Sequence, residues 1–525
     1  MTSGEAGTDW KLFRPLKWAE HGWLLFFVPP ALFAFLFFWR TRDKLLWLDE
    51  FFTLALMKAP SLPHLWQGIV IGIDCNPPVY IVSAWLITHY IFPGIAPELV
   101  LRGLNIVLLF LSLAIIFKIM RRFISLPATV IALLISAYGW NLIWITQEAR
   151  HYTLYLFVFS LSLLFLLHFV SSRDRRNWVA LSISLCVLVL CHTLGIVYAG
   201  SMAASAALVG YAEGDRTLLK RSLWSGAAAI ATFAAWTPAI LSQATLATPY
   251  GWIQSPTAVD LLRAFFLSKV AIACAVAIPF LALASGDWKR QAPGPADIHT
   301  WSRETKTIIL CGALFASATV LIWLGSKLVY PVFVSRYFTP NMLFSFAIVA
   351  AASALFLKSP FVRFIPPFAL AAVLMIGDAA LYATKKDVPP RNVACMDDEG
   401  RQFSELALNI PKLPIVTESP QAWFPRAHYL GSQYLLALDW DVVEKYPHKS
   451  VNNAVDYNIM SRLREWAGLD NIRNTSEILS AYPEFLVLSQ PDYSWLENLR
   501  ATRAPQLTLL GEAGTCKLWL VRLPS

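Results

Sequence analysis

Apolar runs of about 20 residues recur along this 525-residue chain, and they constrain its fold more than any other feature. Each run is long enough to cross a membrane as a helix. Hydrophobic residues make up 57% of the chain and charged residues 15%, which excludes an ordinary soluble enzyme. The runs lie near 22–40, 99–120, 127–146, 152–170, 177–194, 195–212, 222–241, 261–284, 307–325, 340–357 and 364–383. The sequence therefore predicts an all-α polytopic membrane protein with about eleven transmembrane helices.

The basic residues of the short loops predict the orientation of these helices. The formal net charge is +9, but Lys and Arg form short clusters and no single basic stripe, so we expect no nucleic-acid partner. Every second loop is basic, at 11–17, 118–122, 173–176, 216–221, 289–306 and 358–363. Cytoplasmic loops are enriched in Lys and Arg, so these loops are predicted to lie inside. The segments 41–98, 147–151, 192–195, 242–260, 326–339 and everything after about 384 then face outward.

The first outer loop, 41–98, is predicted to stay on the membrane surface. Its run from Val79 to Phe92 could be a twelfth span, but that would move every later basic loop outside. We therefore expect a surface helix there. The segment 51–70 is typical of one or two further surface helices, broken by Pro60 and Pro63.

The composition becomes polar and mixed after the last run. The chain is thus predicted to divide into a membrane domain, 1–384, and an extracytoplasmic α/β domain, 385–525. Residues 484–488 and 516–521 are typical of strands, and 455–468 and 474–481 of short helices. Cys395 and Cys516 flank this domain, and either a disulfide or two unrelated thiols fits their positions.

Ionisable and polar side chains collect at the predicted outer ends of the spans. They lie in Asp49-Glu50, in Asp74-Cys75-Asn76-Pro77-Pro78-Val79-Tyr80, in Glu148-Ala149-Arg150-His151-Tyr152, at His192, and between Lys327 and Arg336-Tyr337. A single such residue is as typical of interfacial anchoring as of function. Their convergence on one membrane face predicts one site.

This ordered set resembles the GT-C fold glycosyltransferases that use polyprenyl-phosphate sugars. That group includes protein O-mannosyltransferases and bacterial lipid A aminoarabinose and galacturonic acid transferases. An Asp-Glu pair in the first outer loop, a Glu-Ala-Arg-x-Tyr segment and a late Arg-Tyr pair all have counterparts here. Asn76-Pro77-Pro78-Val79-Tyr80 is similar to the family's His-Pro-Pro-Leu-Tyr motif, with Asn in place of His. The resemblance covers about 45–340 and implies a sugar transfer on the outer face.

The resemblance implies a role for each group of residues. Asp49 is expected to be the catalytic base of an inverting transfer, with Glu50 and Glu148 as supporting carboxylates. Arginine can bind a phosphate through two hydrogen bonds. The residues expected to bind the donor phosphate therefore include two arginines. They are Arg150, Tyr152, Lys327, Arg336 and Tyr337. A substrate loop is assigned to Asp74, Asn76, Pro77, Pro78, Tyr80 and His192.

Several alternatives stay open at this stage. Asp49 and Glu148 could hold Mg²⁺ or Mn²⁺, and some branches of the family use a metal while others do not. The expected partners are the membrane lipid, a polyprenyl-phosphate sugar and an outer-face acceptor, which could be a lipid, a glycan or a protein. A bacterial inner membrane with a periplasmic C-terminal domain fits this reading. The rival functions are a secondary transporter or lipid flippase, and a non-catalytic membrane scaffold.

Overall fold

The computed structural model describes most of the membrane part and the C-terminal part of the chain. The described residues are 45–124, 129, 132–133, 145–146, 148–247, 253–266, 301–348, 395–396, 403–408, 412–446, 454–491 and 494–524. The predicted spans at 22–40 and 364–383 lie outside them, and those at 127–146, 261–284 and 340–357 lie only partly within them. The total of eleven spans therefore stays a prediction.

Three short helices form the described part of the segment 41–98, the predicted first outer loop. They are α1 (Leu48–Met57), α2 (Leu62–Val70) and α3 (Pro78–Leu86), which continues as a π-helical turn over Ile87–Ile91. Pro60 separates the first two helices, as predicted, but Pro63 does not break a helix, because it is tolerated in the first turn of α2. The apolar helix Pro78–Ile91 is about 21 Å long, shorter than the hydrocarbon core of about 30 Å, so it cannot cross a membrane by itself.

Long apolar helices form the membrane part. The long helices are α4 (Pro97–Met120), α5 (Tyr152–Ser172), α6 (Arg175–Cys191), α7 (Gly195–Ala212), α8 (Arg216–Ala244) and α10 (Arg303–Leu328). A short helix, α9 (Ala258–Ala264), lies between α8 and α10. Five of the described helices are long and apolar enough to span a membrane, namely α4, α5, α7, α8 and α10. Helix α6, at 17 residues, is slightly shorter. The spans predicted within this region are thus found as helices.

Helix α5 lies at the centre of this bundle. Of its most apolar window, 72% is buried inside the protein, against 17% for the corresponding window of α10. Its residues Phe159 and Phe169 have no exposed surface. Helix α5 therefore packs against protein on nearly all sides, whereas most of the α10 surface is not covered by the described protein.

One end of the bundle is held together by ion pairs between the basic loops. Arg122 at the end of α4 pairs with Glu304 at 2.7 Å, and Arg303 pairs with Asp215 at 3.1 Å and also with Glu213. All these residues lie in loops or helix ends that the sequence predicted to be cytoplasmic. Within the described residues, the loops at 122, 213–215 and 303–304 therefore meet at one end of the bundle.

The C-terminal part is an α/β domain built on a six-stranded sheet. Its strands are β1 (Ile415–Thr417), β2 (Tyr434–Leu438), β3 (Ile472–Asn474), β4 (Glu484–Ser489), β5 (Gln506–Ala513) and β6 (Cys516–Arg522), in the spatial order β3-β2-β1-β4-β6-β5. The first four strands in this order are parallel, and β6 pairs antiparallel with both β4 and β5. Strand β2 is buried along its whole length, as expected for a parallel strand with both faces covered.

Helices cover the two faces of this sheet. They are α11 (Pro420–Tyr429), α12 (Trp440–Lys445), α13 (Ala454–Ala467), α14 (Thr475–Ala481) and α15 (Trp495–Arg503). The strands at 484–488 and 516–521 and the helices at 455–468 and 474–481 are therefore confirmed. Cys395 and Cys516 form a disulfide, which decides between the two alternatives that the sequence left open. The boundary predicted at 384 lies outside the described residues and stays a prediction.

Aromatic side chains dock this domain onto the first outer loop. The ring of Phe51 on α1 stacks on that of Phe424 on α11, with the centroids 5.2 Å apart. Trp466 on α13 stacks on His64 of α2 at 4.4 Å, and its indole Nε1 donates to the His64 carbonyl at 3.0 Å. A side chain at Gly68 would collide with this indole, so glycine permits the close approach. The outer loop and one face of the sheet share a single apolar core.

Candidate active site

A cavity of about 700 Å³ opens where the first loop, the helix ends that the sequence predicted to face outward and the C-terminal domain meet. All three parts supply lining residues. From the outer loop and the span ends come Trp47, Asp49, Asp74, Cys75, Asn76, Arg150, Tyr152, His192, Thr193, Arg336 and Tyr337, and from the C-terminal domain come Gln421, Val455, Asp456 and Ile459. The volume suits a small-molecule site, which is typically about 300–1,000 Å³.

Asp49 and Arg336 form an ion pair at the wall of this cavity. Asp49 lies in the first turn of α1, and Arg336 lies in the 3-10 helix Ser335–Asn341 that follows α10. The Arg336 Nη2 donates to Asp49 Oδ2 at 3.0 Å, with 15% and 22% of the two side chains exposed. The Arg336 guanidinium also lies 5.3 Å from the ring centroid of Trp47. Because both groups remain partly exposed, both can reach a ligand in the cavity.

Arg150 organises the loops around the cavity. Its Nη1 donates to Asp74 Oδ2 at 2.7 Å, to the carbonyl of Asp49 at 2.7 Å and to Thr53 Oγ1 at 3.2 Å. Thr53 Oγ1 also donates to Asp74 Oδ2 at 2.7 Å, and the amide of Asn76 donates to Asp74 Oδ1. One guanidinium thus connects three segments that are distant in sequence.

Both arginines keep their charge despite burial. Burial by itself would lower the pKa of Arg150, but the carboxylates of Asp74 and Asp49 raise it above its ordinary value. Burial by itself would also lower the pKa of Arg336, but the nearby Tyr152, Asp49 and Glu148 raise it above its ordinary value. The cavity therefore holds two guanidinium charges that ordinary pH changes cannot remove.

Glu50 and Glu148 are placed behind the cavity wall. Glu50 is fully buried and accepts backbone N–H groups from Trp47 at 2.9 Å and from Ala149 at 2.7 Å. It therefore joins the start of α1 to the segment before α5. Glu148 is also fully buried, and it does not line the cavity. Of the three predicted catalytic carboxylates, the structure brings only Asp49 to the cavity surface.

One neutral histidine, His192, belongs to the cavity wall. Burial and the nearby charge of Arg150 lower the pKa of His192 to about 3. Its Nδ1 accepts the N–H of Leu194 at 3.0 Å, so the proton of the neutral ring is on Nε2. The rings of His151 and Tyr337 lie 5.1 and 5.2 Å from that of His192. At neutral pH His192 can donate a hydrogen bond but carries no charge.

The other predicted site residues divide into two groups. Arg150, Tyr152, Arg336, Tyr337, Asp74, Asn76 and His192 line the cavity together with Asp49. Pro77, Pro78, Tyr80 and Lys327 do not line it. The two prolines begin α3, and Tyr80 is buried with its ring near that of His151. Lys327 is exposed, with its Nζ 5.1 Å from the ring centroid of Trp323.

Sequence reasoning missed two kinds of residue. Asn105 lies within the apolar helix α4, and its side-chain amide donates to the carbonyls of Glu148 and Arg150, the latter at 3.1 Å. Thr153 Oγ1 donates to its Oδ1 at 2.8 Å. A lone amide within an apolar run is the signal that could have revealed it. Asp456 and Gln421 of the C-terminal domain had no such signal, because only tertiary docking brings them to the cavity.

The carboxylates of the site are a poor fit to a divalent cation. Asp49 is paired with Arg336, and Asp74 is paired with Arg150. Among the described residues, no group of three or more His, Cys, Asp or Glu side chains could hold a metal ion. The two guanidinium groups already supply the positive charge that a metal would bring to a phosphate. We therefore derive no catalytic step that uses a metal.

Comparisons with known proteins gave similar solved structures only. No protein-family model matches the chain, and no curated protein matches it. The chain is similar to ArnT from Cupriavidus metallidurans in the apo state, with 12% identity and a TM-score of 0.44 over 96% of this chain and 98% of that one. The same protein bound to undecaprenyl phosphate gives 13% identity and a TM-score of 0.45 over 95% and 98%. With such low TM-scores, these similarities support no conclusion about the chemistry of this chain.

Proposed function

We propose that this protein is a membrane glycosyltransferase that moves a sugar from a polyprenyl-phosphate carrier to an acceptor on the outer face of the membrane. The observation that carries the proposal is the pairing of Asp49 with Arg336 at the surface of a cavity that Arg150 also lines. Such a transfer needs a carboxylate base and a cation for the leaving phosphate. The cavity contains both, at the outer ends of apolar helices where a lipid carrier would present its phosphate.

The bond changes assign a task to each group. The acceptor oxygen attacks the anomeric carbon while the bond from that carbon to the phosphate oxygen breaks. Asp49 accepts the acceptor's proton, and the departing phosphate keeps the electron pair of the broken bond. Arg336 stabilises the negative charge that develops on the phosphate, because its planar guanidinium can donate hydrogen bonds to two phosphate oxygens at once.

An inverting displacement also requires the ion pair to open. The nucleophile and the leaving group approach opposite faces of the anomeric carbon, so the base and the phosphate cation cannot remain in contact. Asp49 Oδ2 and Arg336 Nη2, at 3.0 Å, are in contact in this structure. We infer that the donor phosphate replaces Asp49 on Arg336, which leaves the carboxylate available to the acceptor. Asp49 thus changes partner when the donor binds.

The placement of charge favours this proposal over the two rival functions. The charged side chains of the cavity are Asp49 and Asp74 in the outer loop, Arg150 before α5, Arg336 in the 3-10 helix after α10 and Asp456 at the start of α13, so none of them lies within a membrane helix. Transporters place such groups near the middle of the membrane, on broken helices. A scaffold gives no reason to hold Asp49 and two charged arginines at the surface of a cavity.

The first test is turnover by the purified protein. Undecaprenyl phosphate is bound in one of the similar structures, so sugar-loaded undecaprenyl phosphate is the first donor to supply. We expect release of undecaprenyl phosphate in the presence of cell-envelope lipid and glycan extracts. The same protein in vesicles should move neither the lipid nor the sugar across the membrane. Transport without any sugar transfer would favour the transporter.

The topology gives a second expected outcome. Reporter fusions should place Asp49, Glu148, Arg336 and the C-terminal domain outside, and Arg121, Arg175 and Arg290 inside. The reason is that the basic loops meet at one end of the bundle and the cavity lies at the other end. A periplasmic reporter such as alkaline phosphatase and a cytoplasmic reporter such as green fluorescent protein read the two sides. A cytoplasmic C-terminal domain would contradict the proposed outer-face reaction.

Metal removal gives a third expected outcome. We expect the initial rate of transfer to be unchanged in EDTA, because Arg336 and Arg150 supply the charge that the phosphate requires. The measurement compares initial rates after dialysis against EDTA with and without added Mg²⁺ or Mn²⁺. A rate that EDTA abolishes and one of these ions restores would return Asp49 and Glu148 to the role of metal ligands.

A further inference from the structure

A second large cavity, of about 640 Å³, lies within the C-terminal domain. It opens where the parallel strands β2 and β3 end, at Leu438 and Asn474, with α15 on its other side. In sheets of parallel strands, ligands commonly bind at the carboxyl ends of the strands. None of the residues assigned to the chemical step of the proposed sugar transfer lines this cavity.

The polar groups of this cavity are held in place by hydrogen bonds. Trp495 Nε1 donates to Thr475 Oγ1 at 2.7 Å, and Thr475 Oγ1 donates to Asp439 Oδ2 at 2.8 Å. Lys445 Nζ donates to the side-chain oxygen of Asn498 at 3.1 Å, which orients that amide. The cavity therefore offers fixed acceptors on a carboxylate and fixed donors on an amide. A ligand that both donates and accepts hydrogen bonds suits such a lining.

Aromatic rings supply the apolar part of the lining. Trp440 is half-buried and meets Tyr457 edge to face, with the ring centroids 5.0 Å apart. Trp495 is buried beside them. Trp440 gives a large, rigid contact surface, and its Nε1 donates to Glu444 Oε1 at 2.6 Å, which fixes the ring. The faces of a sugar ring are apolar and its edges carry hydroxyl groups, which matches this mixture.

The charges argue against an anionic ligand. Two carboxylates, Asp439 and Asp441, and one cation, Arg503, belong to the described lining. Glu418 directly follows β1, beside the crevice between β1 and β4 where nucleotides bind in related sheet arrangements. This carboxylate accepts the N–H of Gln490 at 3.1 Å and that of Leu496 at 2.7 Å. A phosphate would be repelled from both places.

We propose that this cavity is a carbohydrate site that binds the neutral sugar part of the acceptor. Helix α13 connects it to the candidate active site. Asp456 lines the active-site cavity, and the next residue, Tyr457, lines the cavity in the domain. A glycan held against Trp440 could thus extend past the start of α13 towards Asp49. The acceptor class is therefore a glycan or a glycolipid. The assignment to the acceptor rests on the proposed function, whereas carbohydrate binding itself does not.

The experiment measures carbohydrate binding without turnover. Purified full-length protein is applied to an array of immobilised neutral and acidic saccharides of one to six units, and the Kd of the best ligand is determined by calorimetry. Ser476→Trp places a large ring in the cavity from an exposed position on α14. Ser480→Trp makes the same change one helical turn further on, outside the cavity lining. Undecaprenyl phosphate binding is measured on each preparation.

We expect the wild type to bind neutral saccharides and not acidic ones. Ser476→Trp should weaken this binding by about tenfold or more, while Ser480→Trp leaves it unchanged. Undecaprenyl phosphate binding should be the same in all three proteins. The site would be overturned if the wild type bound no saccharide. It would also be overturned if the two variants bound saccharide equally well, whether as tightly as the wild type or equally weakened. Saccharide binding without undecaprenyl phosphate binding would instead count against the proposed transferase.

Discussion

Asp49→Asn should abolish most of the transfer activity while the protein stays folded and still binds its donor. Asparagine is nearly the same size as aspartate, but it can neither accept the proton nor carry the charge. Loss of a general base typically costs about 10²–10⁴-fold in rate. Donor binding should be unchanged or tighter, because a neutral amide no longer competes with the phosphate for Arg336, which Asp49 contacts at 3.0 Å in the wild type.

The measurements are the initial rate with a polyprenyl-phosphate sugar, the Kd of undecaprenyl phosphate and the thermal stability. Asp456→Asn is the matched control, since it removes a carboxylate from the same cavity but on the C-terminal domain. It should lose far less activity. Glu50→Gln is a poorer control, because Glu50 accepts two backbone N–H groups and its loss disturbs the loop. If the Asp49→Asn protein keeps more than about a tenth of the wild-type rate, Asp49 is not the catalytic base.

Arg336→Lys should lower the rate about 10²–10³-fold with little change in stability. A lysine preserves the charge, but it cannot form the paired hydrogen bonds that a guanidinium makes to a phosphate. Removing one preorganised donor from a developing negative charge costs about that much. Arg336 contacts the Asp49 carboxylate and the Trp47 ring, and both of these residues line the cavity, so we expect its replacement by lysine to affect the substrate first. The readouts are the rate at saturating donor, the Kd of undecaprenyl phosphate and the melting temperature.

Arg150→Lys is the informative comparison. Arg150 binds Asp74, Thr53 and the Asp49 carbonyl, so the same substitution there should also lower the melting temperature. Lys327→Gln should change neither property, because Lys327 is exposed and lies outside the cavity lining. If Arg336→Lys transfers sugar as fast as the wild type, the phosphate is bound elsewhere and Arg150 becomes the candidate.

The sequence by itself determined the apolar helices within the described residues, and two strands and two helices of the C-terminal domain. The run at 195–212 is helix α7, and the segment 484–488 lies in strand β4. Both follow from local physics, since an apolar run must hydrogen-bond its own backbone in a membrane and a short β-rich run needs neighbouring strands. Arg150, Tyr152, Arg336 and Tyr337 were also predicted to share one site with Asp49, and all four line the cavity.

Only the tertiary structure decided which of these residues can reach a substrate. Asp49 and Glu50 are neighbours in sequence, but successive residues on a helix point about 100° apart, so one side chain faces the cavity and the other is buried. The docking of α13 and α11 brings Asp456 and Gln421 to the same cavity. No local pattern encodes such contacts, because they depend on how distant surfaces pack. Composition and periodicity therefore determine the elements of this protein, whereas packing determines its site.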